Sequence, residues 1–239
     1  MAMRTKLIYQ EDSYVKEFEA SVVDVLGGKV VLDKTAFHDG EGGVQADTGY
    51  LEAAGARYRA RAAREGDEVV HLVEGQHGLK PGDAVKGVLD WEPRYRKMRL
   101  HTAAHMLSAI LYRRHNALIT GGEITPEYAR DDFSIEGDMN AVRRAFEEAV
   151  AELNELAARG IEVKVYWLPR EEALKIPGIT KLAERAPPNI PVLRIVEIPG
   201  VDVQADGGPH VRNTAEIGQV KILKVENRGK NKKRIYYTV

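Results

Sequence analysis

The sequence predicts an α+β protein whose first part is a small β-barrel. Three observations carry this. Up to about residue 90, short strand-like stretches alternate with Gly, Pro and Asp turn signals. Spacing of that kind favours a barrel over a βαβ unit. Beyond residue 93, strands and helices follow without regular alternation, the mark of α+β architecture. Trp91-Glu92-Pro93 is the expected boundary, giving domains 1–92 and 93–239.

In chain order, residues 17–25 begin with alternation and become more apolar, Gly27-Gly28 turns the chain, and residues 29–33 return as the second arm of a hairpin. Residues 50–52 and 57–60 flank a turn at Gly55, residues 69–73 form a further strand, and Pro81-Gly82-Asp83 precedes another at 84–90. Residues 35–49 hold four glycines, which let backbone turn freely and approach a ligand closely, but lack the spacing and Lys of a phosphate-binding loop. A plain hairpin loop is the simplest expectation there. A helix runs to about Arg114 with Ala104, Leu107, Ile110 and Leu111 on its apolar face. Residues 118–123 read as a strand ending in a turn and 128–135 as the next strand. Asn140 is the expected cap of an amphipathic helix from Ala141 to Ala158 that stops at Gly160. Residues 162–167 and 192–198 alternate as strands, around a short helix from Arg170 to Lys175.

Composition narrows the chemistry. With 239 residues, 44% hydrophobic and 30% charged, the chain can build two ordinary cores. No apolar run approaches the roughly 18 residues of a membrane span. Met1-Ala2-Met3-Arg4-Thr5-Lys6 lacks the apolar core of a signal peptide, so a cytoplasmic location is expected. Cysteine is absent, which excludes disulfides and thiolate catalysis and leaves any metal to His, Asp or Glu. Lys and Arg number 35 against 36 Asp and Glu, so a nucleic-acid partner needs a local basic patch. Two are available: Arg94, Arg96, Lys97 and Arg99, and the run Arg228, Lys230, Lys232, Lys233 and Arg234. The first group could contact phosphates or be the solvated face of a helix start; the second could contact phosphates or keep a hairpin tip soluble.

The sharpest local signal is His101-Thr102-Ala103-Ala104-His105. Positions i and i+4 share one helix face, so both imidazoles can converge on one ion. Thr102 stands where a His-Glu-x-x-His zinc protease carries its Glu, which disfavours that chemistry. Downstream, Asp206 and His210 flank Gly207-Gly208-Pro209, a turn able to aim a carboxylate and an imidazole the same way. Together the four make a His₃Asp set acceptable to Zn²⁺; with Asp206 off the metal, His₃ and water is an open catalytic arrangement. His38, His71, His77 and His115 have no such company and read as surface or structural residues.

The helical His-x-x-x-His, Leu168-Pro169-Arg170-Glu171-Glu172-Ala173 and the segment Gly207-Gly208-Pro209-His210-Val211-Arg212-Asn213-Thr214-Ala215-Glu216-Ile217-Gly218 resemble the editing domain of alanyl-tRNA synthetase. The Gly-rich segment with Asp47-Thr48-Gly49 resembles the short barrel that precedes it. No aminoacylation domain is present, so the whole chain is similar to the free-standing alanyl-tRNA editing proteins of the AlaX family, medium-length type. Two departures stand out. Asp206 and Pro209 replace the Cys and Thr of the family's Cys-Gly-Gly-Thr-His, and Glu41-Gly42-Gly43-Val44 replaces Gly-Gly-Gly-Gln, with Gln45 one residue later.

The resemblance implies an editing domain like that of threonyl- and alanyl-tRNA synthetases, Zn²⁺ as cofactor, and hydrolysis of serine, and of glycine, from tRNA(Ala). It implies no membrane partner and leaves the oligomeric state open. Thr120 and Thr102 are candidates for reading the serine hydroxyl, Thr102 being equally suited to face the helix interior. Gly42, Gly43 and Asp47 would shape the pocket rim, while Arg96, Lys97, Arg99, Lys230, Lys232 and Lys233 would meet tRNA. Two other readings stay open: a metal-free tRNA-binding module derived from the same fold, and a metallohydrolase of small esters.

Overall fold

The computed structural model of the chain describes residues 5–179 and 189–239; Met1 to Arg4, part of the segment behind the cytoplasmic expectation, lie outside the described residues. The chain forms two compact units, residues 1–95 and 96–239.

The first unit is a barrel. Strands β1 (Lys6–Leu7), β2 (Glu17–Leu26), β3 (Lys29–Leu32), β4 (Lys34–Thr35), β5 (Thr48–Ala53), β6 (Ala56–Glu65), β7 (Glu68–Val73) and β8 (Ala84–Leu89) follow in order. Six of them close in the order β2-β3-β7-β6-β5-β8, while the short β1 and β4 pair parallel outside the ring. Alternation drives the closure: β2 buries Phe18, Ala20 and Val22 and exposes Glu17, Glu19 and Ser21. Phe18, Val30, Leu32, Phe37, Leu51 and Val85 fill the interior. Two glycines let strands pass bulky rings. A Cβ on Gly87 would come within 2.3 Å of the Phe18 ring, and one on Gly49 within 2.9 Å of the Phe37 ring and 2.1 Å of Val88 O.

His71 sits in this core with no exposure, its Nδ1 3.2 Å from Val30 O and its Nε2 2.9 Å from Thr35 Oγ1. The carbonyl only accepts, so Nδ1 carries the proton and the Thr35 hydroxyl donates to Nε2. Burial pushes the pKa of His71 down to about 4, against the lesser effect of the Val30 bond. The unfolded chain, with an ordinary imidazole near pH 6.5, therefore takes up the proton first as pH falls. Barrel stability is expected to be complete above that pH and to fall by about 1.4 kcal/mol per unit down to pH 4 from this residue alone. Urea unfolding of wild type and His71→Gln at pH 7, 5.5 and 4.5 checks this; the substitution should flatten that part of the slope.

Helix α1 (Trp91–His115) takes Trp91-Glu92-Pro93 as its first turn, and the compact units divide after Tyr95. Pro93 is tolerated because first-turn N–H groups have no intrahelical partner. Every residue from Leu100 to Leu111 is buried, so this stretch has no solvated face at all, where one apolar face was expected.

The second unit continues with β9 (Ile119–Ile124), β10 (Ala129–Phe133), α2 (Met139–Ala157), β11 (Lys164–Pro169), α3 (Arg170–Ala173), β12 (Val192–Ile198), β13 (Asp202–Ala205), β14 (Lys221–Asn227) and β15 (Lys233–Thr238). Its sheets are β14-β15-β10-β9 and β11-β12-β13, all antiparallel. Gly121-Gly122 lies inside β9 rather than in a turn, for a packing reason: a Cβ on Gly122 would stand 2.7 Å from Asp131 Oδ1 on β10. The cap of α2 is Asp138, not Asn140. Its carboxylate accepts from the backbone N–H of Asn140 and Ala141 at 2.9 and 3.0 Å, and an anion suits a helix N-terminus better than an amide. Val142, Phe146, Val150 and Leu153 form the buried stripe of that helix. No helix among the described residues is long and apolar enough to cross a membrane.

Candidate metal centre

One donor pair comes from α1. His101 and His105 are both buried, one turn apart, with ring centroids 5.0 Å from each other. The other comes from the loop after β13. Arg194 on β12 clamps this loop, its Nη1 donating to Asp206 O at 2.8 Å and Gly208 O at 3.0 Å. Gly208 N–H donates back to Asp206 Oδ2 at 2.7 Å, which tightens the turn and aims the carboxylate. A Cβ on Gly208 would lie 2.6 Å from His101 Cε1, so only glycine lets the loop come this close to the helix.

His210 stacks on His101 with centroids 4.1 Å apart, and His105 meets it edge-on at 4.6 Å. The cluster His101, His105, Asp206 and His210 offers four donor atoms all within 4.8 Å of one another. A metal ion could be held there, and one bound at about 2.0–2.2 Å from each donor would draw them slightly closer.

The outer ring nitrogens test that fit. His101 Nδ1 lies 3.3 Å from Pro209 O, which only accepts, so that nitrogen carries the proton. His105 Nδ1 lies 3.2 Å from Asp202 Oδ2, an ion-pair distance without the alignment of a good hydrogen bond; the carboxylate still favours the proton on that side. Both rings turn their Nε2 atoms toward Asp206 Oδ1, 3.6 and 3.9 Å away. Imidazole nitrogens gathered around one carboxylate in a largely buried site form a donor set that a cation can bridge. Burial, then the nearby His101 and His105, push His210 well below the usual imidazole range. Burial raises the Asp206 carboxyl, but His101, His210 and His105 outweigh it and hold it well below the usual carboxylate range. An ionised Asp206 and a His210 that resists protonation suit a metal, which binds carboxylate and neutral imidazole.

Other predicted site residues land elsewhere. Thr102 has no exposure, so it reads no substrate; its hydroxyl faces the helix interior and His210. Asp47 is not a rim residue but is buried against Arg94, because its carboxylate offsets that buried guanidinium. Gly42 and Gly43 are exposed in a short turn of the first unit at φ +71° and +84°, values that suit glycine. Thr120 is exposed on β9, an edge strand, with its hydroxyl donating to Asp132 O at 3.3 Å.

The first basic group is no solvated face. Arg94 and Lys97 are buried. Arg96 donates to Pro126 O and Val239 O, and Arg99 to Ile217 O, so both guanidinium groups tie the backbone together. The second group sits at the tip of the β14–β15 hairpin. There Lys233 is buried and donates to Gly229 O and Lys230 O, and Arg234 grips the Asp132 carboxylate. Arg228 and Lys230 remain exposed, with Lys232 3.2 Å from Asp132 Oδ2.

Asp202 and Arg194 support the cluster, and sequence reasoning passed over both. A signal existed for the first. Asp202, Gln204 and Asp206 recur with the strand period of two, so they share a face. Gln204 Nε2 indeed donates to Asp202 Oδ2 at 2.9 Å.

The family profile described as "Threonyl and Alanyl tRNA synthetase second additional domain" matches residues 193–236, which hold Asp206 and His210. That described as "tRNA synthetases class II (A)" matches residues 4–93. The alanyl-tRNA editing protein AlaX-M of Saccharolobus solfataricus is 52% identical over 238 residues, 98% of this chain and 99% of that protein. The chain belongs to the AlaX-M family of alanyl-tRNA editing proteins. The AlaX-M of Methanosarcina barkeri is 41% identical, again over 98% of this chain and 99% of the relative. The alanine–tRNA ligase of Archaeoglobus fulgidus is 40% identical over 93% of this chain but only 24% of the ligase. Family and fold thus agree: an α+β chain with a closed six-stranded barrel and a second unit carrying the donor cluster.

Proposed function

We propose that this chain is a trans-editing aminoacyl-tRNA deacylase that hydrolyses the ester of serine, and of glycine, on tRNA(Ala), with Zn²⁺ held by His101, His105, His210 and Asp206. The observation that carries the reading is the convergence of three imidazoles and one carboxylate within 4.8 Å. Membership in a family named for alanyl-tRNA editing supplies the substrate class. Zinc is favoured among metals because three imidazoles and a carboxylate suit it in number and softness. When bound, it supplies Lewis-acid chemistry for ester hydrolysis.

The chain's own residues do the rest. The three histidines and Asp206 fix the position at which the ester carbonyl is met. Arg194 holds the Asp206–Gly208 backbone so that the carboxylate keeps its aim. Thr120 is the remaining candidate for the serine hydroxyl. A site that hydrogen-bonds the hydroxyl prefers serine over alanine, because alanine leaves its polar groups unpaired. Deacylase chemistry belongs to the domain from residue 93 onward. Exposed Arg228 and Lys230, with half-buried Lys232, are the cations for tRNA phosphates, so binding should weaken steeply with salt.

The test is elemental analysis of the purified protein with deacylation of Ser-tRNA(Ala), Gly-tRNA(Ala) and Ala-tRNA(Ala). About one zinc per chain and release of serine but not alanine are expected. Protein that binds no zinc and leaves Ser-tRNA(Ala) intact yet retains the tRNA overturns this in favour of a binding module. Hydrolysis of simple amino-acid esters at rates matching Ser-tRNA(Ala) would point to a small-ester metallohydrolase.

A further inference from the structure

Of the three imidazoles, His101 and His105 have outer nitrogens beside groups that can only accept, a carbonyl and a carboxylate. His210 differs. Its Nδ1 lies 3.1 Å from Thr102 Oγ1, and a hydroxyl can donate or accept. We propose that Thr102 is a positioning residue that fixes His210 in the tautomer presenting Nε2 to the metal. The inference rests on the metal-site reading above and adds a residue to it.

The hydroxyl's own bonds carry the argument. Thr102 Oγ1 lies 3.1 Å from Met98 O, one turn earlier on α1. That carbonyl only accepts, so the single hydroxyl proton goes there. Two lone pairs are left. One accepts the Val211 N–H at 3.3 Å, on the residue that follows His210. The other faces His210 Nδ1, which must then supply the proton. His210 Nε2 lies 3.1 Å from Asp206 Oδ2, a contact in which the carboxylate only accepts. A metal held by the cluster would take the place of the Nε2 proton, and Nδ1 would keep its own toward Thr102. One hydroxyl with one donor and two acceptor sites, all engaged, fixes both the ring's tautomer and the backbone that carries it. The group has no exposure, so water cannot take over either contact. Placement between the two helical ligands has a clear use: the same turn of α1 that offers His101 and His105 also orients the third imidazole.

The obvious variant is Thr102→Val, which keeps the branched shape and deletes the hydroxyl. Zinc affinity, measured by competition with a chromophoric chelator at fixed pH, is expected to fall by about 10–100-fold, the usual effect of losing an outer partner of a ligating imidazole. Thr102→Ser should restore it to within a few-fold of wild type. In the zinc-loaded wild type, ¹⁵N-resolved NMR should show a slowly exchanging His210 Nδ1–H that is lost in Thr102→Val. Circular dichroism separates these effects from unfolding, and Thr102→Ala is read the same way if the valine variant does not fold. Folded Thr102→Val that binds zinc as tightly as wild type overturns the role of Thr102 alone. A wild type that binds no zinc overturns the metal site and this inference with it.

Discussion

His101→Ala and His210→Ala are each expected to lose zinc and deacylase activity together. Structural zinc sites are worth about 10–16 kcal/mol in total, so one donor in four accounts for roughly 10²-fold or more in affinity. The loss should not be made good by water, because both imidazoles are buried and the vacated space is walled by the remaining rings. Asp206→Ala separates the two arrangements left open by the sequence. A carboxylate on the metal makes its removal as costly as that of a histidine. A carboxylate held off the metal makes the loss smaller, since Asp206 then only steadies His210 at 3.1 Å and accepts the Gly208 N–H at 2.7 Å. Equilibrium dialysis with chelator, followed by elemental analysis and single-turnover deacylation of Ser-tRNA(Ala), measures all three variants. Stoichiometric zinc retained by His101→Ala, with an unchanged rate, is incompatible with the site.

The four donors were legible because each rests on a local rule. A helical i, i+4 pair needs only 3.6-residue periodicity, and a Gly-Gly-Pro turn brings two nearby side chains to one side. That the pair and the turn meet is long-range, and the primary structure offers no local rule for it. The barrel was legible for the same reason as the pair, since alternation in β2 and the turn at Gly27-Gly28 are local. Misreadings fall where tertiary contact decides. Gly121-Gly122 has the look of a turn, but it is flat strand beside Asp131. Four basic residues at a helix start look like a phosphate-binding face, yet burial or carbonyl partners take them all. Charge is read from sequence, whereas exposure of charge is a property of the packed structure. Thr102 shows the same limit in reverse, a plain polar residue whose place is set by Met98 one turn earlier and by His210 and Val211, 108 and 109 residues later.

Asp47→Ala is expected to destabilise the barrel by about 3–5 kcal/mol, the effect of stranding one member of a buried ion pair. Asp47 and Arg94 are each 1% exposed, and Arg94 Nη1 donates to Asp47 Oδ2 and to Ala36 O at 3.0 Å. The same carboxylate oxygen accepts the His38 N–H at 2.7 Å, so the pair also ties the start of the Gly-rich segment to its end. Deleting the carboxylate leaves a buried guanidinium with no other ion-pair partner among the described residues, its carbon 5.6 Å from the Tyr9 ring. In a unit of this size the melting transition should drop by more than about 10 °C. Replacing both partners, as Asp47→Leu with Arg94→Met, should recover most of the loss, because two desolvated charges give way to apolar packing. Calorimetry resolves the barrel's transition from that of the second unit, where a melt of the whole chain by one probe would blend them. Activity alone would mislead here: an Asp47 variant that fails to edit looks like a lost pocket residue when the barrel has simply melted. A wild-type melting temperature in Asp47→Ala would mean that Arg94 finds compensation elsewhere, and the carboxylate would regain its claim to a place at the substrate.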